Sequence, residues 1–296
     1  MSASIPRQVL AIIGTGGMGL ATARRLAAGR TIFLADASES NLALAAQSLK
    51  SDGHSHIHTQ VVDVADYESV RKFASASAGN SPHGVVETVV HTAGLSPAMA
   101  PANRILQVDL LGTVNVIEAF EEFVGVGSSV TCIASIARFG ATGLLTPEME
   151  AFFGNAKREE LDTLSEGVGE GIKKLVGENP ALAYSVSKAA NILRVQAAAR
   201  RYAERGARIN SVSPGVILTE MVRKEMAGPS RAAIQGMIDG MPMKRGGAAD
   251  EIAAAVAFLA SRDASYVTGA DLVVDGGFTA GSQGAMSQAM NGQGKE

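Results

Sequence analysis

Apolar runs and helical patterns alternate along the first ninety residues of the chain. Val9 to Ile13 is a continuous apolar run, residues 20–28 have helical spacing, and Thr31 to Ala35 is a second apolar run. Further strand-like runs follow, most of them far enough apart for a crossover helix: Val61 and Val62, Val85 to His91, Ser129 to Ala134, Arg208 to Val212 and Asp271 to Val274. Such runs are typical of a parallel sheet covered on both faces. The pattern predicts a doubly wound α/β fold of the Rossmann type.

Two segments interrupt this alternation. Residues 138–180 are charged, punctuated by glycine and partly spaced as helices, which indicates a helical insertion. Residues 279–296 carry few large apolar side chains, which indicates a tail that is either mobile or docked on a neighbouring subunit. We therefore expect one domain over residues 1–278. The insertion is either a lid over an apolar substrate or a subunit contact.

Composition narrows the partners. The 296 residues are 46% hydrophobic, and 26 Lys and Arg stand against 29 Asp and Glu, so a packed core is expected and a nucleic-acid or anionic-membrane surface is not. The first apolar run is too short for a signal peptide or a membrane span. The single cysteine, Cys132, lies in an apolar run with no adjacent base and predicts a buried structural thiol. Together these features predict a cytoplasmic protein with a small-molecule partner.

A glycine-rich turn follows the first strand, with the sequence Gly14, Thr15, Gly16, Gly17, Met18 and Gly19. Gly14 permits a tight turn, Gly16 or Gly17 lets backbone N–H groups approach a pyrophosphate, and Gly19 lets the helix pack on the strand. The turn is therefore typical of a dinucleotide site, although an ordinary glycine-rich turn has the same residues.

Asp36 ends the second strand. A carboxylate there can accept hydrogen bonds from both ribose hydroxyls and would repel a 2′-phosphate. Residues 37–41 contain no Arg or Lys to bind that phosphate, which favours NAD over NADP. The alternative is that Asp36 caps the following helix.

Tyr184 and Lys188 have the i, i+4 spacing that places two side chains on one helix face. An ammonium beside a phenol favours the phenolate and lowers its pKa. The pair can therefore act as an acid and base towards a carbonyl or an alcohol.

The glycine-rich turn and the Tyr184 and Lys188 pair together resemble the short-chain dehydrogenase/reductase family. Further matches follow in the family's order: Asp63 and Val64 after the third strand, Ala93 and Gly94 after the fourth, Ser135 at the end of the fifth, residues 208–219, and residues 274–277. The resemblance covers residues 9–278. It implies four catalytic residues, Ser135, Tyr184, Lys188 and Asp109. It also implies that residues 14 and 16–19 bind the cofactor together with Asp36, Asp63, Val64, Ala93, Gly94, Tyr184, Lys188, Pro214, Gly215, Ile217 and Thr219.

The activity implied by this resemblance is hydride transfer between NAD and a secondary alcohol or ketone. In reduction, Tyr184 gives a proton to the carbonyl oxygen, Ser135 hydrogen-bonds that oxygen, and Lys188 orients the ribose. The long insertion is similar to that of bacterial 3α-hydroxysteroid dehydrogenase/carbonyl reductases, which suggests an apolar substrate. The family resemblance also implies a homodimer or homotetramer.

The sequence departs from the family pattern at three places. The glycine-rich turn is one residue shorter than usual, and His91 and Thr92 replace two Asn. Asp109 stands where the catalytic helix normally carries Asn, where it would either hold a water or form an ion pair with Lys188. Two other functions stay open: an epimerase or dehydratase that uses the same cofactor, and a non-catalytic NAD-sensing protein.

Two further groups carry weaker signals. His54, His56 and His58 lie on one side of an extended segment, but they have no other ligand types nearby, so we expect an exposed connection and no metal. Residues 223–225 are charged, in the region where the family has a mobile substrate loop. We expect them to form a solvated face.

Overall fold

The structure is a computed structural model that describes residues 7–164 and 166–281. Seven parallel strands form one sheet in the order β3-β2-β1-β4-β5-β6-β7. The strands are β1 (Val9–Ile13), β2 (Thr31–Asp36), β3 (Ile57–Val61), β4 (Thr88–His91), β5 (Ser129–Ile133), β6 (Arg208–Pro214) and β7 (Asp271–Val274). The expected doubly wound fold is confirmed. The order reverses beside β1, so a ligand crevice is expected at the carboxyl ends of β1 and β4.

Helices cover both faces of the sheet. They are α1 (Gly17–Leu26), α2 (Glu39–Ser51), α3 (Tyr67–Gly79), α4 (Ala102–Ile105), α5 (Gly112–Glu121), α6 (Pro147–Asn155), α7 (Arg158–Thr163), α8 (Gly167–Val176), α9 (Pro180–Glu204), α10 (Glu220–Met226), α11 (Arg231–Gly240) and α12 (Ala249–Ala260). A π-helical segment, Leu106–Leu111, joins α4 to α5, and 3-10 turns span Ile136–Ala141 and Arg262–Ala264.

Strand β1 shows why the apolar runs are continuous. Val9, Ala11 and Ile13 face the core under α3, α5 and α9, whereas Leu10 and Ile12 face the core under α1, α2 and α12. Because successive side chains point to opposite faces and both faces are covered, every position of this strand is buried.

Some boundaries differ from the sequence prediction. Strand β3 covers Ile57–Val61 and not Val61 and Val62, because it is an edge strand whose exposed polar residues hide the pattern. Strand β4 begins at Thr88, since the preceding Val86 N–H is bonded to Phe123 in a loop. Helix α1 begins at Gly17, three residues before the apolar pattern that predicted it.

Helices α6, α7 and α8 lie between β5 and α9, where the insertion was expected. Buried Phe153, Leu161 and Ile172 pack them on residues of α9. The buried Arg194 of α9 donates to the carbonyls of Gly154 and Ala156 at 3.0 and 2.8 Å and to Glu118 of α5 at 2.5 Å. These three helices are therefore packed against α9. Most of the predicted tail, residues 282–296, lies outside the described residues.

Within the described part of the chain, no helix is both long enough and apolar enough to cross a membrane.

Candidate active site

The glycine-rich turn lies against the end of β4. Gly14 has φ +93° and donates its N–H to Ala35 O at 2.7 Å, and a Cβ at this position would lie 2.5 Å from Ala93 N. Only glycine fits this turn without strain. Thr92, one of the two residues that replace Asn, donates its Oγ1 proton to Gly14 O at 2.7 Å. Thr92 therefore fixes the turn, a contribution that the sequence analysis missed.

Helix α1 begins directly after this turn. Its N-cap, Gly16, has no side chain to bond the first-turn N–H groups. These N–H groups and the positive end of the helix dipole are suited to an anion such as a pyrophosphate.

A groove of about 490 Å³ starts at this helix end. Its lining consists of residues 16–19, Asn41, Thr92, Ala98, Met99, residues 219–221, Lys224, Glu225 and residues 228–230. The groove therefore connects the glycine-rich turn with the segment after β6. A volume of this size is typical of small-molecule sites.

Asp36 faces the same edge of the sheet. Its Oδ2 accepts from the backbone N–H and the hydroxyl of Thr15 at 2.7 and 2.9 Å, and its Oδ1 accepts from the N–H of Ser38 at 2.9 Å. The amide of Asn41 makes a weaker contact with Oδ1 at 3.4 Å. The helix that follows is capped by Ser38 instead. A ribose hydroxyl could therefore replace the weak Asn41 contact, while the hydrogen bonds from Thr15 and Ser38 keep the Asp36 carboxylate in place.

Asp63 and Val64 follow β3 at the neighbouring strand end. Asp63 accepts from the Ala65 N–H at 3.0 Å and pairs with Arg104 at 2.9 Å. Val64 is buried, and its carbonyl accepts from Asn115 at 2.8 Å. Both residues are thus held in fixed positions at the carboxyl end of β3.

The segment after β6 is fixed by backbone hydrogen bonds. Pro214 ends the strand, and the Gly215 N–H donates to Val274 O at 3.0 Å. Ile217 is buried and pairs with Gly247, and Thr219 is the N-cap of α10 and lines the groove. The predicted cofactor residues of this segment therefore lie beside the glycine-rich turn.

Ser135, Tyr184 and Lys188 meet at the carboxyl end of β5. Ser135 lowers the pKa of the Tyr184 phenol as a neighbouring hydrogen-bonding group, and Ser135 Oγ accepts from the Ala137 N–H at 3.1 Å. Lys188 Nζ lies 5.3 Å from the centroid of the Tyr184 ring. The first turns of α9 supply Tyr184 and Lys188 from one face, as their spacing predicted.

Asp109 forms a buried ion pair with Lys188. Its Oδ2 lies 3.0 Å from Nζ, and its Oδ1 accepts from the Leu95 N–H at 2.7 Å. Asp109 belongs to the π-helical segment, a rare geometry that is frequent at functional sites. The ion pair, one of the two roles considered for this position, is present in the structure.

Burial and charge act in opposite directions on this pair. Burial lowers the pKa of Lys188, but Asp109 and Tyr184 raise it, and the result lies above its usual value. Burial raises the pKa of Asp109, and Lys188 and the Leu95 N–H only partly oppose that effect. Since the raised pKa of Lys188 favours its ammonium form and Nζ lies 3.0 Å from Asp109 Oδ2, the two side chains form an ion pair.

The pKa of Tyr184 is also raised. Burial is the main cause, Asp109 and Glu225 add to it, and Lys188 and the hydrogen bond with Ser135 oppose it. Lys188 therefore lowers the Tyr184 pKa as its position predicted, but burial and the two carboxylates outweigh it. The phenol is the form present at neutral pH in this structure.

His91, the other residue in place of Asn, is buried beneath the site. Thr113 donates its hydroxyl proton to Asp109 O at 2.8 Å, so its oxygen accepts from His91 Nε2 at 3.1 Å. Burial, aided by Lys188, lowers the pKa of His91 to about 3. Burial raises the pKa of the neighbouring Cys132 to about 12, in line with the expected structural thiol. Both side chains are therefore uncharged at neutral pH.

Two groups set aside by the sequence analysis have different outcomes. His58 is exposed and stacks on Phe33 with ring centroids 4.5 Å apart, and residues 7–164 and 166–281 contain no cluster of metal-ligating side chains. Arg223 and Lys224 are exposed, as expected for a solvated face. Glu225 differs, because it is half-buried and lines the groove. The position of Glu225 shortly after Thr219 indicates that it lies near the site. The sequence does not show which side of α10 faces the groove, so it could not predict that Glu225 lines it.

Comparison with known proteins extends the likeness over nearly the whole chain. Residues 8–143 match a family described as short chain dehydrogenase, and residues 171–279 match one described as Enoyl-(Acyl carrier protein) reductase. Short-chain dehydrogenase/reductase bsc3 of Alternaria brassicicola is 35% identical over 92% of this chain and 95% of its own length. Levodione reductase of Leifsonia aquatica is 31% identical over 93% of this chain and 94% of its own length. A crystal structure of levodione reductase has a TM-score of 0.71 at 27% identity, covering 93% of this chain and 98% of that one. Because a short-chain dehydrogenase/reductase is 35% identical over nearly the full length of both chains, the chain belongs to the short-chain dehydrogenase/reductase family.

Proposed function

We propose that this protein is an NAD-dependent oxidoreductase that transfers a hydride between the nicotinamide and a secondary alcohol or ketone. The observation that carries the proposal is the Lys188 ammonium 5.3 Å from the centroid of the Tyr184 ring, together with Ser135 as the group that lowers the pKa of that phenol. These groups lie on the same edge of the sheet as the groove that begins at the glycine-rich turn.

The residues present fit a dinucleotide. The uncapped N-terminus of α1 suits the pyrophosphate, and the open space above Gly16 leaves room for it. Asp36 supports NAD, because its carboxylate would repel a 2′-phosphate and three short hydrogen bonds hold it in place. When bound, NAD supplies the carbon that accepts or returns the hydride.

In oxidation, the carbinol carbon loses a hydride and its hydroxyl proton passes to Tyr184, which must be a phenolate to accept it. In reduction, the Tyr184 phenol gives its proton to the carbonyl oxygen. Ser135 Oγ accepts from Ala137, so its own proton remains available for the substrate oxygen or for Tyr184. Since the pKa of Tyr184 is raised, we expect reduction at neutral pH and faster oxidation at alkaline pH.

The lining of the groove includes Met99, Met221 and Pro229, which favours a substrate with an apolar body. Assembly as a homodimer or homotetramer stays a prediction from the family.

The proposal is tested with Tyr184→Phe, which removes the transferable proton and little volume. Turnover of ketones or secondary alcohols, followed by NADH absorbance, should fall by a factor of about 10² or more. The matched control is Tyr266→Phe, because Tyr266 is fully exposed and remote from the site. NAD binding by both variants, measured by calorimetry, should equal that of the wild type.

Three outcomes would contradict the proposal. Retained turnover in Tyr184→Phe would exclude this acid and base. Conversion of a substrate without net change in NADH would favour an epimerase or dehydratase. NAD binding with no turnover of any alcohol or ketone would favour the NAD-sensing alternative.

A further inference from the structure

Glu225 is the acidic side chain of α10 that faces inward. It lies one helical turn after Met221, so the two side chains share the face that lines the groove. Val222 and Met226, on another face of the same helix, pack against Val216, Ile234 and Met241. This packing fixes the rotation of the helix and thereby directs Glu225 towards the groove.

The carboxylate of Glu225 lines the same groove as residues 16–19 and Thr92 at the glycine-rich turn. Its negative charge also adds to the raised pKa of Tyr184. It lines the groove together with Met99 and Met221. A molecule bound in the groove would cover this half-buried carboxylate, which would then need a hydrogen-bond donor.

No such donor is provided by the part of the chain that the structure describes. Lys224, the adjacent cation at the edge of the groove, pairs with Glu220 at 2.8 Å, and both of these side chains are about three-quarters exposed. Neither a cation within ion-pair distance nor a side-chain hydrogen-bond donor is found for Glu225 among the described residues. The carboxylate is therefore free to accept a hydrogen bond from a bound molecule.

We propose that Glu225 is a specificity-determining residue that accepts a hydrogen bond from a hydroxyl or ammonium group on the substrate, and that it disfavours substrates carrying a carboxylate there. The inference rests on the proposed function and narrows its substrate class. The preferred substrate then has an apolar body, the reacting alcohol or ketone, and a second hydrogen-bond donor.

The test compares four cyclohexanols that differ only at the 4-position: methyl, hydroxyl, ammonium and carboxylate. The wild type should have a higher kcat/KM for the diol and the amine than for the methyl compound, and its lowest value for the carboxylate. Glu225→Gln removes the charge and preserves the shape. Relative to the methyl compound, it should raise kcat/KM for the carboxylate about tenfold and lower it for the amine about tenfold, and the change in the methyl compound itself reports the effect of the lost charge on Tyr184.

Glu204→Gln is the matched control, since Glu204 is exposed on α9 and pairs with Arg200 on the surface. It makes the same change in net charge and should keep the order of the four substrates. A melting curve for each variant checks the fold.

The outcomes separate the two proposals. Turnover of the cyclohexanols with the same order in wild type and Glu225→Gln would overturn the role of Glu225 and leave the proposed function standing. An equal change for all four, together with a higher KM for NAD, would show that Glu225 serves the cofactor and would also overturn it. No turnover of any secondary alcohol would overturn the proposed function and, with it, the inference.

Discussion

Replacing Asp109 by Asn removes one of the two negative charges that raise the pKa of Tyr184. Oδ2 lies 3.0 Å from Lys188 Nζ, which lies 5.3 Å from the Tyr184 ring centroid, so the carboxylate is no more than about 8 Å from that ring. At an effective dielectric constant near 20, a charge at about 8 Å contributes about 2 kcal/mol. An effect of this size is large enough to displace a pH profile measurably.

The sign follows from the charge. Without the carboxylate, the Tyr184 phenolate forms at lower pH, so the pH profile of kcat/KM for alcohol oxidation should move to lower pH. Lys188 loses the charge of Asp109 in this variant, but the Tyr184 phenolate still raises the pKa of Lys188. Asn has one acceptor oxygen for two donors, Leu95 N–H and Lys188, so Asp109→Asn should also lose about 1–3 kcal/mol of stability.

The assay is NADH production from one secondary alcohol across pH, with a melting curve for each variant. Asp52→Asn is the control, since Asp52 pairs with Arg24 at the surface. An unchanged profile in a folded, active Asp109→Asn would refute the electrostatic role of Asp109. A move to higher pH would show that Lys188 had lost its charge instead.

Three further predictions concern the cofactor, the ion pair and the thiol. Asp36→Ala combined with Ala37→Arg should move the ratio of NAD to NADP affinity about tenfold or more towards NADP, and equal dissociation constants in the wild type would contradict it. Gly94→Ala places a methyl group 3.1 and 3.2 Å from the two members of the buried ion pair, so turnover should fall about tenfold, whereas Gly79→Ala, which meets open space, should not change it. Since burial raises the pKa of Cys132 to about 12, iodoacetamide should label it at neutral pH only after unfolding, and rapid labelling of the folded protein would contradict this.

Val9–Ile13 matches its expected bounds, because it is a continuous apolar run buried on both faces. Asp271–Val274 also matches, although it is an edge strand of intermediate burial, because three consecutive apolar residues follow Asp271. Edge strand β3 was misplaced, since its polar residues His58 and Thr59 face solvent and leave no such run. The fold class survived this error because the parallel order depends on the whole series of strands and crossovers.

Within the site, local spacing predicted the Tyr184 and Lys188 pair, since helical geometry alone places them together. The contact of Lys188 with Asp109 is different, because it joins distant helices and depends on the π-helical segment. The inward direction of Glu225 depends on how Val222 and Met226 pack. Contacts of this kind arise from tertiary packing, and no pattern along the chain encodes them directly.

The hydrogen bonds of Arg194 join the inserted helices to α9, so we expect these helices to open together. If α6 opened alone, the Arg194 guanidinium would lose the carbonyls of Gly154 and Ala156 while still buried beside Glu118, and Phe153 would be exposed to water. The combined cost makes independent opening rare, so hydrogen exchange in the insertion should follow the opening of α9 itself. Lys188 also belongs to α9. Substitutions in the insertion, even far from the substrate, would then change the fraction of time that Lys188 spends beside Asp109 and Tyr184.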